Sequence, residues 1–183
     1  TMYFQNNVVP YQTLFSCRIG TGWSTPQRFL YSLNSAHYLQ VTNNWHYYIS
    51  SVSNQTIGAS DWCRLYMNGI DTTAVSLGLP VNSAMDNLDF SVSRDESFMI
   101  ISKYSGNSAK LFVSYHKNNN NWTNPKNLGP AINFGLSMWG GYISSDNKYL
   151  FYTTGTNPNY SDVSIRWVRI DGLIDSLRYT NFI

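Results

Sequence analysis

Asp86 and Asp89 stand just ahead of the run Phe90-Ser91-Val92, and they are the acidic residues best placed to face one pocket. Two carboxylates in one pocket are what glycoside hydrolysis requires, one protonating the leaving oxygen and one serving as base or nucleophile. The chain has only 10 acidic residues. Asp95 and Asp146 fall in turns, and Asp61 and Asp162 fall in loops, so a catalytic pair is the weaker reading. Aromatic residues offer a different chemistry at matching places. His37 and Tyr38 open one apolar run, Trp139 precedes another at Tyr142-Ile143-Ser144, and Asp86 to Asp89 hold the place between them. Exposed rings there stack on sugars or anchor a peptide, and buried rings pack between sheets. His37, Tyr38, Asp86, Asp89 and Trp139 are therefore the ligand-binding candidates.

Other chemistries find little support. The three histidines, His37, His46 and His116, are scattered, and no Gly-x-Ser-x-Gly elbow flanks a serine, so no nucleophilic triad is legible. No pair of metal-ligating residues has the short spacing a metal site needs, so neither a metal nor a cofactor is expected. Cys17 and Cys63 are too few for a disulfide framework, and they read either as two separate thiols or as one bridge. The sequons at Asn54, Asn121 and Asn159 are of the kind an asparagine-rich chain produces by chance.

Bulk composition narrows the class. The 183 residues suffice for one domain with a real core. Aromatic residues make up 16% and charged residues 12%, a balance that favours strands and polar turns. A net charge of +2 with no basic run argues against nucleic acid or an anionic membrane as partner. No apolar stretch reaches the roughly 18 residues of a membrane-spanning helix. The start Thr1-Met2-Tyr3-Phe4 reads as the inside of a strand, with an earlier segment expected before it.

The elements that position the candidates follow from an internal repeat, which is the first thing to seek. Asn44, Asp95 and Asp146 stand 51 residues apart, each in a polar turn leading to a short aromatic-aliphatic run. The runs predict strands near 3–6, 47–51, 98–102 and 149–153. Apolar pairs recur downstream at Leu14-Phe15, Leu65-Tyr66 and Leu111-Phe112, with Ile165-Arg166-Trp167 in the last copy. Trp23-Ser24-Thr25-Pro26 then matches Trp122-Thr123-Asn124-Pro125, and the tails Leu33-Asn34, Pro80-Val81-Asn82 and Ile132-Asn133 correspond. Segments 51–60, 104–109 and 153–161 read as variable loops, and Asn118 to Asn121 as an exposed turn. Ile170, Leu173, Ile174 and Leu177 have near-helical spacing and predict one short C-terminal helix. Four short strands in about fifty residues is the size of a propeller blade. Asp95 and Asp146 are assigned to structural turns, since Asx side chains bond the backbone two residues on. The blades fall at about 1–35 (partial), 36–85, 86–137 and 138–183.

Ser93-Arg94-Asp95-Glu96-Ser97 and Ser144-Ser145-Asp146-Asn147-Lys148, each leading to an aromatic-aliphatic strand, resemble the Ser-Pro-Asp-Gly-Lys turn of the TolB-like, WD-repeat-like propeller repeats of bacterial envelope proteins. Pro and Gly are absent from both copies. The stretch from Trp122 to Asn133 and the ending Ile165-Arg166-Trp167-Val168 strengthen the resemblance. It implies an all-β propeller of four-stranded antiparallel blades, with about three and a half blades of a six-bladed ring. It also implies a periplasmic, outer-membrane-associated or secreted location and an interaction role without catalysis. The function expected is a binding or scaffolding module contacting protein or glycan, and the alternative is a partial or degenerate glycan-active propeller enzyme. Since three and a half blades cannot close a ring, a missing N-terminal half, a second copy or a partner protein is expected to complete it.

Overall fold

The computed structural model describes residues 1–6, 12–30, 32–33, 35–53, 55–68, 71–118 and 121–179. The described chain forms small antiparallel sheets laid side by side, followed by one helix. The first sheet holds β1 (Met2–Gln5), β2 (Thr13–Ser16) and β5 (Gln27–Arg28), with a small hairpin of β3 (Arg18–Ile19) and β4 (Gly22–Trp23) beside it. The second is a meander of β6 (Ala36–Val41), β7 (Tyr47–Ser51), β8 (Asp61–Asn68) and β9 (Asp71–Ser76). The third repeats that order with β10 (Phe90–Val92), β11 (Phe98–Ser105), β12 (Ser108–Tyr115) and β13 (Lys126–Asn127). The last has three strands, β14 (Ser137–Ile143), β15 (Tyr149–Gly155) and β16 (Ser164–Arg169), and then α1 (Asp171–Tyr179). The predicted strands at the aromatic runs and the predicted helix are both present.

Alternation along each second strand builds the cores. In β11, Phe98 and Ile100 join a cluster with Leu150, Tyr152 and Met138 of the fourth sheet, while Met99 and Ile101 join Tyr48 and Trp62 of the second. A strand buried on both faces in this way reads as a near-continuous apolar run, as Phe98 to Ile101 does. A third cluster, with Leu30, Ala36, Ile49, Cys63 and Leu65, joins the first sheet to the second. The helix packs Ile174 into the third-and-fourth-sheet core, and Tyr115 donates its hydroxyl hydrogen to the Ile174 carbonyl at 2.6 Å.

The 51-residue repeat holds through the turns and then slips. Trp45, Glu96 and Asn147 occupy one turn position, with φ of 58°, 62° and 60°. That left-handed conformation is where glycine is favoured, so the absent glycine is replaced by residues that bear the strain. Beyond it the copies part. Ser93 N–H bonds the carbonyl of Phe98 and Ser144 N–H that of Tyr149, but Thr42 N–H bonds that of His46, one residue sooner. The second sheet's turn is one residue shorter, so Tyr48 corresponds to Ile100 and Phe151. A one-residue slip exchanges the faces of a strand, which is why Tyr48, and not Ile49, points toward the third sheet.

Two further sequence expectations need correction. Segment 104–109 is not a variable loop: β11 and β12 run through to Ser105 and Ser108 and turn at Gly106-Asn107, with Gly106 at φ 57°. The matching Trp-x-x-Pro segments also differ. Trp122 is buried, stacked on His116 with ring centroids 4.9 Å apart, whereas Trp23 is exposed in the β3–β4 hairpin. Both lead into a two-residue outermost strand, β5 and β13. Asn119 and Asn120 lie outside the described residues, as does Asn34.

The corresponding tails do have one structural use. Asn133 Nδ2 donates to the Leu111 carbonyl and its Oδ1 accepts from Leu111 N–H, both at 2.8 Å. Asn82 grips Trp62 in the same two ways at 3.0 and 2.9 Å. Each asparagine side chain thus stands in for a fourth-strand residue, continuing the pairing along the third strand.

Candidate functional site

Two rims differ in chemistry. On one, the Asx turns join each innermost strand to the second. Burial opposes the charge of Asp95, but hydrogen bonds from the Ser93 hydroxyl and from the backbone and hydroxyl of Ser97 together hold its carboxyl below the ordinary range. Asp146 is held below it chiefly by the Ser144 hydroxyl and then by Lys148 N–H. The turns also touch one another. Asn43 N–H donates to the Arg94 carbonyl at 2.8 Å, and Arg94 N–H donates to Asn147 Oδ1 at 3.2 Å. Glu96, at the left-handed position, reaches into the second sheet: its Oε1 accepts from Thr42 Oγ1 at 2.5 Å and lies 2.7 Å from His46 Nδ1. The rim is a set of interlocked turns, and its carboxylates are occupied.

The opposite rim carries the aromatic candidates. Both β6 and β14 enter it with a β-bulge, between His37 and Gln40 and between Trp139 and Tyr142. The bulged residues correspond: Tyr38 has φ 57° and Gly140 has φ 61°. Glycine adopts this conformation freely, and a tyrosine does so under strain, a condition that gathers at functional sites. Tyr38 is exposed, and its ring lies against His37. His37 is held by Gln5 Nε2 and by the Ser35 hydroxyl; burial lowers its pKa, and the charge of Asp86 partly offsets that. Asp86 is exposed and accepts from the Ser60 hydroxyl at 2.9 Å.

Asp89 is buried, and its side chain leads to an open aromatic pocket on this rim. Its Oδ2 accepts a short hydrogen bond from the Tyr104 hydroxyl. Tyr104, Ser137, Trp139 and Tyr160 line a cavity of 300 Å³. Trp139 and Tyr160 meet nearly edge to face, with centroids 5.3 Å apart and planes at 76°. Burial raises the Tyr104 pKa most, and the charge and hydrogen bond of Asp89 add to it, with smaller contributions from Tyr38 and Tyr160. The structure therefore joins Asp89 and Trp139 to Tyr104, and it places Tyr38 with His37 and Asp86 to one side. Sequence reasoning missed Tyr104 and Tyr160 because both fall in segments taken for loops. Their signal was an aromatic residue at each end of a polar stretch.

Among the described residues, no three His, Cys, Asp or Glu side chains gather to hold a metal ion. The two cysteines are free thiols, and burial pushes that of Cys63 up to about 12. No described helix is long and apolar enough to cross a membrane.

Sheets packed face to face in chain order, each a meander from an inner to an outer strand, are the blades of a β-propeller. No family model and no curated protein matches the sequence. Solved structures do match in fold. TolB from Acinetobacter baumannii is similar with a TM-score of 0.57 and 13% identity over 92% of this chain and 38% of that one. A TolB-assigned protein from Agrobacterium tumefaciens gives 0.55 and 12% over 88% and 55%. A chain of a nidogen/laminin complex gives 0.58 and 12% over 93% and 57%. The present chain thus spans between 38% and 57% of the length of these propellers. The fold is that of a TolB-like β-propeller.

Proposed function

We propose that this chain is a protein-binding propeller module of the bacterial cell envelope, whose last blade packs against another apolar sheet. The observation that carries the reading is the outer face of that blade. Tyr142, Phe151, Ile165 and Trp167 share it, as the pairing of Tyr142 with Phe151 and of Phe151 with Trp167 requires. Phe151 corresponds to Ile100, Ile165 to Leu111 and Trp167 to Val113. The third-blade residues are each 0% exposed because the fourth blade covers them; Phe151, Ile165 and Trp167 are 40%, 80% and 66% exposed. Monomeric proteins rarely leave such a patch open. Among the described residues β16 also has a free edge, where β8 and β12 each pair with a fourth strand. A second copy, a partner protein or a further part of the same polypeptide supplies the covering sheet and completes the ring. The envelope location follows the resemblance of the turns and the similarity to TolB structures.

Solution mass by light scattering tests the reading. The wild-type chain is expected above monomer mass at micromolar concentration, or at that mass only with a partner bound. Phe151→Ser with Trp167→Ser is expected to be monomeric in either case. A monodisperse wild-type monomer, unchanged by the double substitution and with no partner taken up, overturns it. A glycan contact is the second reading, favoured by the strained, exposed Tyr38 beside Trp139's rim.

A further inference from the structure

We propose that the cup formed by Tyr104, Trp139 and Tyr160 receives a cationic side chain, lysine or arginine, of a protein partner, with the Asp89 carboxylate as its counter-charge. This rests on the protein-binding reading above and names the chemistry of one contact. The cup is at the small end of ligand cavities, with room for one side-chain head group. Its walls are aromatic, and a cation over such rings is attracted by their quadrupole.

A charge stands behind one wall, where Asp89 holds the Tyr104 hydroxyl. Asp89 is 5% exposed, and among the described residues its carboxylate is bonded by the neutral Tyr104 hydroxyl. Among the described residues, no ion pair involves Asp89. A buried carboxylate without a cation is costly, and a docked ammonium or guanidinium offsets that cost. A neutral sugar fits less well, because it needs several free donors and acceptors. Here the Tyr104 hydroxyl is given to Asp89, and Ser137 Oγ already accepts from Ala109 N–H at 2.9 Å.

The cup is built rather than incidental. A Cβ at Gly155 would lie 3.3 Å from Tyr160 Cδ1 and 3.4 Å from Trp139 Cη2, so glycine lets both rings settle over the backbone. Tyr160 is held at φ 52° in a loop closed by Asp162, which accepts from the N–H and hydroxyl of Thr156. Its own hydroxyl donates to the Asn107 carbonyl of the neighbouring blade at 3.4 Å.

The test is titration of the whole chain with Nα-acetyl-lysine amide and Nα-acetyl-arginine amide, read by the NMR signal of the Trp139 indole N–H. Nα-acetyl-norleucine amide and N-acetylglucosamine are the neutral probes. Both cations are expected to shift the indole signal and neither neutral probe to do so. Asp89→Asn is expected to weaken cation binding about tenfold, the scale of one desolvated cation–π or charge contact. Should Asp89→Asn fail to fold, Tyr160→Leu removes a wall from an exposed loop and is expected to weaken it about fivefold. Absence of a shift with either cation, or equal shifts with a neutral probe, overturns the proposal. That result leaves the solution-mass experiment untouched, so the two readings fail separately.

Discussion

Glu96 Oε1 lies 2.7 Å from His46 Nδ1, across 50 residues of sequence and between two blades. The same carboxylate accepts from the Thr42 and Tyr48 hydroxyls, and its side chain is almost fully buried. Glu96→Ala leaves these partners facing a void. The expected loss is about 2–3 kcal/mol by urea denaturation, since buried polar groups left unmatched cost that much. Thr42→Val and His46→Ala are each expected to cost less alone, and to cost little more in the Glu96→Ala background. Additive losses would show that the three side chains do not act together.

Asp95 gives a stability that depends on pH. Its folded carboxyl is held below the ordinary value of 3.8, so the unfolded chain takes up its proton first as pH falls. The contribution is present in full above that value and is lost on acidification toward the lower folded one. Asp95→Asn is expected to flatten the acid limb of a thermal-stability profile below about pH 4 and to leave the profile near neutrality almost parallel. Asp95→Ala is expected to cost about 1 kcal/mol through its lost turn bonds. An acid limb identical to wild type would show that the turn does not discriminate between the two forms.

Trp45 is exposed and sits at φ 58°, where a bulky residue is strained. Asn147 holds the corresponding place in the fourth blade. Trp45→Asn is expected to raise stability by about 0.5–1 kcal/mol, since asparagine tolerates the left-handed conformation. Trp45→Val is expected to lower it. Thermal melting of both variants checks the sign, and a loss in both would place Trp45's worth in its contacts rather than its backbone.

Much of the blade plan is legible in the sequence because turn chemistry and strand pattern repeat together. Ser93 to Ile101 and Ser144 to Tyr152 share both the turn and the register. The plan is less legible at Thr42 to Ile49, where one missing residue leaves the spacing of the turn intact while exchanging the faces of the strand. The rim aromatics were half visible. Trp139 and Tyr38 lie in the inner strands β14 and β6, which periodicity finds, whereas Tyr104 joins Asp89 through a hydrogen bond that no spacing encodes. Tyr160 comes from a loop whose path is set by Asp162 and by Gly155.

Asn82 and Asn133 offer the last comparison, because they make the same two-way grip in different surroundings. Asn82 is 1% exposed, and its Nδ2 also donates to the Ser76 hydroxyl at 3.0 Å. Asn133 is partly exposed, and its Nδ2 also reaches Asn127 Oδ1. Replacing either by alanine leaves the N–H of the gripped strand residue without its acceptor, while its carbonyl keeps a backbone donor, Leu77 N–H at Trp62 and Leu128 N–H at Leu111. Asn133 is partly exposed, so water can enter in its place, whereas Asn82 is buried and water is excluded there. Asn82→Ala is therefore expected to cost about 2–3 kcal/mol and Asn133→Ala about 1 kcal/mol. Asn82→Asp keeps the acceptor for Trp62 N–H but turns the donor into a second acceptor facing the Trp62 carbonyl. It is expected to be as damaging as alanine or worse, and most so above the pH at which the new carboxyl ionises. Equal losses for Asn82→Ala and Asn133→Ala in urea denaturation would show that burial does not set the strength of this grip.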